Sequence, residues 1–188
     1  MPTPILVDRS WSEATAITTA IAVEASQVLR DSAAQSRLLT EMVPVLVAEA
    51  MRYGVDPAVI LSQSVHETGW GVFGGVVPPR YHNTCGLKTR SGGRNADPSA
   101  HQRFPSWHAG ARAHAQHLYA YAGGTLDDGD LELTPRAIWV RQANATHGPA
   151  VHVEDLGGRW APSSSYGERV ATRAQTLLTV AGVTQGAT

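Results

Sequence analysis

DPAVILSQSVHETGWG, residues 56–71, carries the clearest structural signals in this 188-residue chain. Asp56 followed by Pro57 is typical of a helix start, because an aspartate side chain can cap the first turn and proline fits the first helical position. Mostly apolar and small residues follow as far as Thr68, and Gly69 then indicates the end of the helix. A mostly apolar helix is therefore predicted between these two signals.

Glu67 stands in the last turn of this predicted helix, on the face shared by Gln63 and Ser64. A carboxylate at the end of a buried helix loses hydration, and that loss raises its pKa. If this face borders a cleft, Glu67 has the environment that a glycosidase acid needs, namely a proton retained near neutral pH. A solvated surface glutamate is the alternative interpretation, because most charged residues are exposed.

Two further helices are predicted ahead of this one. Ser10 with Glu13 matches a capping box, in which each residue satisfies a backbone N–H of the other. A second helix is predicted over residues 38–53 from its apolar spacing, with Gly54 as its stop. Pro44 either lies in the first turn of that helix or kinks it.

The middle of the chain changes character. Residues 71–104 are rich in Gly, Pro, Asn and Ser, which favours turns. Two short extended pieces, residues 84–89 and 101–104, are predicted to pair there as a β-hairpin.

Helical signals return in the second half. Helices are predicted over about residues 106–122 and 134–144, and Ser165 with Glu168 matches a second capping box before the last helix. The chain is therefore predicted to be α+β and mainly α, a helical domain with a small β-hairpin lobe.

The composition fits one globular domain. Of the 188 residues, 43% are apolar, which is enough for a single core. A formal net charge of −1 argues against a nucleic-acid binder, and no apolar run reaches the length needed to span a membrane. Cys85 is the only cysteine in the sequence, so no internal disulfide is expected.

The two ends of the chain are expected to be loose, over residues 1–9 and after Gly182. The first ten residues lack the positive segment and the apolar stretch of a secretory signal peptide. We therefore expect synthesis in the cytoplasm.

Four segments occur in an order that resembles one enzyme family. They read SQSVHETGWG at residues 62–71, NTCGLK at 83–88, QRFPSWHAGARAH at 102–114 and LGGRWAPSSSYGERV at 156–170. In these segments the chain is similar to the glucosaminidase family of peptidoglycan hydrolases, glycoside hydrolase family 73. We expect a catalytic domain over residues 36–182 that is compact with the first helix. Residues 1–35 lie outside the resemblance, and residues 183–188 form a tail.

The resemblance implies a lysozyme-like fold in which the hairpin lobe flanks the cleft. It implies that Glu67 is the general acid and that Tyr166 orients the site or stabilises charge at the reacting carbon. Asn83 and Lys88 match a family strand beside the hairpin and are expected, with Gln63, to bind substrate. A core aromatic is the alternative interpretation of Tyr166.

A second catalytic carboxylate is less evident. Members of this family often place an acidic residue in the hairpin region, and Asp97 is the one acidic residue between Lys88 and Phe104. Asp97 is therefore a candidate catalytic residue, although it also fits a simple turn position before Pro98. The reaction can proceed without it, since the 2-acetamido group of the substrate can itself act as the nucleophile.

Aromatic residues in or beside these segments fit a sugar cleft, because aromatic rings stack on the apolar faces of sugars. Trp70, Tyr81 and Trp160 are the residues expected to contact substrate. Trp107, at a helix start, is better interpreted as part of the core.

Two other enzyme classes are less consistent with the residues. HETGW, residues 66–70, begins like a zincin helix but lacks the second histidine, and His114 with His117 has no third ligand nearby in the sequence. A cysteine hydrolase would pair Cys85 with His101 or His114, but a cysteine in a strand lacks the helix N-terminus that lowers a thiol pKa. No metal and no cofactor are expected.

The expected reaction is hydrolysis of the β-1,4 bond after N-acetylglucosamine in peptidoglycan glycan strands. The alternatives are a muramidase or lytic transglycosylase, which cut after N-acetylmuramic acid, and a non-catalytic wall-binding module. We expect a monomer that binds neither nucleic acid nor membrane. It would act on the cell wall after release or export, as a phage endolysin does.

Overall fold

The computed structural model describes residues 1–185, and residues 186–188 of the expected tail lie outside the described part. Within residues 1–185 the fold is mainly helical, as predicted. The α-helices are α1 (Trp11–Val28), α2 (Ser32–Ser36), α3 (Val43–Tyr53), α4 (Pro57–Thr68), α5 (Trp107–Tyr121), α6 (Asp128–Leu133), α7 (Ala137–His147) and α8 (Tyr166–Ala181). The other helical elements are a π-helical segment (Arg37–Met42) and 3-10 turns at Pro79–Tyr81, Pro98–Ala100 and Val153–Leu156.

Local signals fix the ends of the helices that lead to the site. The Ser10–Glu13 capping box is present at the start of α1. The Asp56 side chain accepts a hydrogen bond from the backbone of α4, and Gly54 and Gly69 end α3 and α4 in the left-handed conformation. These predictions are confirmed. They could be made from sequence because each helix end is determined by residues within one turn of it.

The helix predicted over residues 38–53 is continuous, but its first part has the wider π register. Val43 N donates to the carbonyl of Leu38, five residues back. Pro44 then occupies the first turn of α3, a position that proline tolerates. The first of the two interpretations of Pro44 is therefore correct.

In the second half, one helix start and one helix cap differ from the prediction. The helix predicted to start at residue 134 begins instead at Ala137, as α7. Thr134 belongs to the end of α6, a helix that was not predicted, because its amide donates to the carbonyl of Asp130. The second capping box is wrong, because the Ser165 hydroxyl accepts from the guanidinium of Arg169 and makes no bond to the helix backbone.

The predicted hairpin lobe is reduced to one antiparallel bridge, between Lys88 and His101, and no longer strand forms within residues 1–185. The reason is the Asn83 side chain, which enters the pairing. Gln102 N donates to the carbonyl of Leu87 at 2.8 Å, but the return bond is replaced. Leu87 N donates to Asn83 Oδ1 at 2.9 Å, and Asn83 Nδ2 donates to the carbonyl of Gln102 at 2.9 Å.

The N-terminal residues are held in place, so the expectation that residues 1–9 are loose is wrong. Ile5 is fully buried in the core. Arg9 pairs with Asp56 at 2.7 Å, and both side chains are almost completely buried. The Arg9 guanidinium also donates to the carbonyl of Thr184, so the start of the described tail is anchored as well.

Helix α4 lies against both α3 and α8, and α8 packs in turn on α1. One continuous core extends from Ile5 to Leu178, so the first helix shares the core of the rest of the molecule. Ten of the twelve residues of α4 are buried, which leaves its end as the part that meets solvent. In the described part of the chain, no helix has both the length and the hydrophobicity that crossing a membrane requires.

Candidate active site

Glu67 emerges from the end of the buried helix α4, and its two carboxyl oxygens have different surroundings. Oε1 accepts a hydrogen bond from the Tyr166 hydroxyl at 2.5 Å. Oε2 faces Gly86, where an added Cβ atom would lie 3.7 Å from it. Gly86 has a φ of +69°, a conformation that glycine adopts without strain.

Burial raises the pKa of the Glu67 carboxyl above its ordinary value. The hydrogen bond from Tyr166, and a weaker interaction with the Trp160 side chain, oppose this rise only in part. The last turn of α4 adds to the same effect, because the negative end of a helix dipole disfavours an anion. Glu67 therefore holds its proton to higher pH than a solvated glutamate does.

Four buried side chains behind Glu67 form a chain of hydrogen bonds, here called the relay: Tyr166, Gln63, His114 and Thr84. Gln63 Nε2 donates to the Tyr166 hydroxyl at 2.8 Å. His114 Nε2 lies 2.9 Å from Gln63 Oε1, and His114 Nδ1 lies 3.1 Å from the Thr84 hydroxyl. Each of the four residues is at most 3% exposed, so water does not compete for these bonds.

The hydrogen bonds of the relay all donate in the same direction, from Thr84 towards Glu67. An amide oxygen can only accept, so His114 Nε2 must carry a hydrogen. Burial lowers the pKa of His114 to about 3, and repulsion from His117 acts in the same direction. The imidazole is therefore neutral, its Nδ1 accepts, and the Thr84 hydroxyl donates to it.

The direction of the relay makes the two oxygens of Glu67 chemically different. Burial and the neighbouring Glu67 charge raise the pKa of Tyr166, so this hydroxyl keeps its proton and remains a donor. Because Tyr166 donates to Oε1, the proton of a neutral Glu67 belongs on Oε2. Oε2 is the oxygen on the side of Gly86.

Two cavities meet at Glu67, Gly86 and His101. The first, the Lys88 cavity, has a volume of about 380 Å³ and extends past Lys88 to Trp160. The second, the Val76 cavity, has a volume of about 350 Å³ and is bounded by the loop after α4. Glu67 thus lies where two consecutive parts of a cleft join.

Charge is unequally distributed in this cleft. Glu67 is the one carboxylate that lines either cavity within residues 1–185. The Lys88 cavity also carries the cationic side chains of Lys88, Arg136 and Arg159.

Some of the sequence-predicted site residues come together here. Lys88 and Trp160 line the Lys88 cavity. Gln63 and Tyr166 lie behind Glu67 in the relay rather than at the cleft surface. Asn83 borders the Val76 cavity, but its amide is fully engaged by the backbone of the bridged segments, which gives it a structural role there.

Three predicted site residues lie elsewhere. Trp70 lines neither cavity, and its ring lies 4.8 Å from the Arg173 guanidinium. Tyr81 is 1% exposed, so its ring belongs to the protein interior. Asp97 is fully exposed; its side chain accepts from Ser99 and caps a 3-10 turn, and these bonds lower its pKa.

Three residues of the site were not predicted in the roles that they have here. His114 and Thr84 complete the relay, but they are 30 positions apart. Thr84 lies in a predicted strand and His114 in a predicted helix, and neither pattern indicates that the two side chains meet. His101 lines both cavities, and its Nδ1 lies 3.0 Å from the carbonyl of Asp97. Thr84 and His114 lie within two of the matched segments, 83–88 and 102–114, which was the available signal for them, whereas His101 lies just outside.

The site does not support the two competing chemistries. Burial, reinforced by the Glu67 charge, raises the pKa of the Cys85 thiol well above its usual value, which disfavours a thiolate nucleophile. The histidines expected to activate it, His101 and His114, bind the Asp97 carbonyl and the relay instead. Across residues 1–185, no three His, Cys, Asp or Glu side chains gather in a way that could hold a metal ion.

Comparison with known proteins identifies similar sequences. The glucosaminidase family model, described as mannosyl-glycoprotein endo-beta-N-acetylglucosaminidase, matches residues 43–177. An uncharacterized protein of Borreliella burgdorferi is 27% identical over 124 residues, which are 66% of this chain and 55% of that protein. The chain thus spans about half the length of that relative. No solved structure matches the chain.

Proposed function

Because the chain belongs to the glucosaminidase family of glycoside hydrolases, we propose that it hydrolyses the β-1,4 bond after N-acetylglucosamine in bacterial peptidoglycan. Glu67 is the general acid, and the protein acts on the wall after release or export, as an endolysin does. One observation carries this proposal: a carboxyl with a raised pKa stands at the junction of two cavities, with its proton on the accessible side. A glycan strand lying through both cavities has its scissile oxygen beside Oε2.

The chemistry proceeds in two steps that need one carboxyl group. Oε2 of Glu67 gives its proton to the glycosidic oxygen while the bond from that oxygen to the anomeric carbon breaks. The carbonyl oxygen of the substrate's 2-acetamido group bonds to the anomeric carbon and forms a cyclic oxazolinium intermediate. Water then attacks the anomeric carbon while its bond to the acetamido oxygen breaks, and the Glu67 carboxylate accepts the proton of that water, which restores the neutral carboxyl and the free acetamido group.

Participation of the acetamido group is favoured because no second carboxylate borders the cleft in the described part of the chain. Asp97 is engaged in capping a turn, and it lines neither cavity.

Mass spectrometry of digested, purified peptidoglycan tests the proposed bond. New reducing ends on N-acetylglucosamine are expected. Reducing ends on N-acetylmuramic acid would identify a muramidase, and anhydro-muramic acid ends would identify a lytic transglycosylase. If the digest contains no new reducing ends but the protein still binds to walls, the protein is a non-catalytic wall-binding module.

The activity is expected to fall on the alkaline side as Glu67 loses its proton. A general acid works only while protonated, and burial favours the protonated form. The alkaline limb of kcat/KM should therefore lie above the value of about 4.3 for an unperturbed glutamate. Rates measured across pH, with circular dichroism to confirm an intact fold, check this. A rate that stays constant to alkaline pH contradicts it.

Chelation is expected to leave the activity unchanged. The proposed mechanism uses only Glu67 and the substrate's own amide, so no step depends on a metal ion. Peptidoglycan hydrolysis should be measured with and without EDTA, and again after zinc is added back. Loss on chelation followed by recovery with zinc would favour a metal-dependent amidase.

A further inference from the structure

The cleft continues beyond the Lys88 cavity into a further pocket of about 330 Å³, here called the Trp139 pocket. The wall common to the Lys88 cavity and the Trp139 pocket is made by His117, Tyr121, Arg136 and Arg159. A ligand in the Lys88 cavity can therefore extend directly into the Trp139 pocket.

The shared wall carries uncompensated positive charge. Arg136 stacks on Trp139, with its guanidinium carbon 4.7 Å from the ring centroid. Arg159 is fixed by donation from Nη2 to Asn144 Oδ1 at 3.0 Å and to the carbonyl of Gly148 at 2.7 Å. In the described residues no carboxylate pairs with either arginine, and none lines the Trp139 pocket.

The wall also contains a buried polar atom without a partner. His117 is 6% exposed, and within the described residues its Nδ1 is buried and makes no hydrogen bond. Its ring is held between Trp160 and Tyr121, at centroid distances of 5.2 and 5.4 Å. An unsatisfied buried nitrogen is costly, and such a group is expected where a ligand or its water completes the site.

We propose that the Trp139 pocket binds a carboxylate of the peptide stem that peptidoglycan carries, beside the sugar held in the Lys88 cavity. This proposal rests on the proposed function. The guanidinium of Arg136 presents a planar fork of N–H donors that matches a carboxylate. Trp139 is 44% exposed and offers an apolar surface to the stem side chains.

The stem fits the pocket better than other wall anions because of how it is attached. Stems branch from every second sugar of the glycan strand. A strand in the Lys88 cavity therefore carries a stem into the adjoining pocket without a second binding event, and the effective concentration of its carboxylates is high. A phosphodiester polymer of the wall has no such attachment to the bound sugar.

Binding measurements in the Glu67→Gln background test the proposal without hydrolysis. Two soluble peptidoglycan tetrasaccharides are titrated by calorimetry, one with peptide stems and one from which an amidase has removed them and whose exposed lactyl carboxyls have then been converted to simple amides. Arg136→Gln is the test variant. Arg141→Gln is the matched control, since Arg141 is an exposed arginine of α7, the helix that Arg136 precedes, lines none of these cavities and gives the same change of charge.

The fragment with stems is expected to bind about tenfold more tightly than the fragment without them, as one charge-assisted contact allows. Arg136→Gln should reduce this ratio to near one, and Arg141→Gln should preserve it. Arg136→Lys keeps the positive charge but lacks the planar pair of N–H donors, so it should give an intermediate ratio. If Arg136→Gln proves unstable, Arg136→Lys serves as the test variant in its place.

Equal affinity for the two fragments, or a ratio unchanged by Arg136→Gln, would overturn the proposal. Tight binding of free teichoic acid that depends on Arg136, without any preference for stems, would assign the pocket to a phosphodiester and overturn it as well. Failure of the proposed function appears separately, as a wild-type protein that releases no reducing ends from either fragment.

Discussion

Glu67→Gln is expected to lower kcat/KM on peptidoglycan at least about a hundredfold, the typical contribution of a general acid. The amide keeps the size of the carboxyl, and its oxygen can still accept from Tyr166. It has no acidic proton to give to the leaving oxygen. The rate of appearance of new reducing ends measures the loss.

The fold of this variant should remain intact. Burial disfavours the charged form of Glu67 in the native protein. Folding therefore opposes its ionisation, and at neutral pH the unfolding free energy of Glu67→Gln should equal or exceed that of wild type. Glu132→Gln is a matched control, because Glu132 is exposed and lines neither the Lys88 cavity nor the Val76 cavity. Near wild-type activity in Glu67→Gln would remove the basis of the proposed mechanism.

Tyr166→Phe is expected to reduce kcat/KM by at least about tenfold, because misplacement of a reacting group by even a small distance is costly. The variant leaves Oε1 of Glu67 without its donor and Gln63 Nε2 without its acceptor. The hydrogen bond from Tyr166 lowers the pKa of Glu67, so its removal should also move the alkaline limb to higher pH. A purely structural tyrosine would not shift that limb.

Asp97→Asn provides the contrasting measurement and should be nearly neutral. Asparagine caps a turn as well as aspartate does, and the exposed Asp97 carboxylate lines neither cavity. Tyr53→Phe controls for loss of a partly buried tyrosine hydroxyl, since Tyr53 donates to Asp130 away from the cleft. If Asp97→Asn is inactive while Tyr166→Phe is normal, a water-activating carboxylate replaces the acetamido mechanism.

The parts of the fold that could be predicted from sequence are those fixed by neighbouring residues. Asp56, Pro57 and Gly69 determine both ends of α4, and each acts within one helical turn. Because both ends of α4 could be predicted, Glu67 could be assigned to the last turn of a buried helix. Burial at that position raises the pKa of its carboxyl. The family resemblance then supplied the proposed role of general acid, which this position suits.

The parts that could not be predicted depend on contacts between distant residues. The relay joins Thr84, His114 and Gln63, and no periodicity in the sequence connects them. The anchoring of Arg9 by Asp56 turned an apparent loose end into part of the core. In the same way, insertion of Asn83 between two segments ended a strand pairing that the residue pattern favoured.

The junction of two cavities at Glu67 also determines how a polymer is shortened. A cleft that continues on both sides of the acid accepts a strand along its length rather than by its tip. Under the proposed function, scission then falls at interior positions, and each event divides a long strand instead of trimming one sugar from its end. The mean degree of polymerisation of the glycan is then expected to drop after few turnovers, before much sugar is set free.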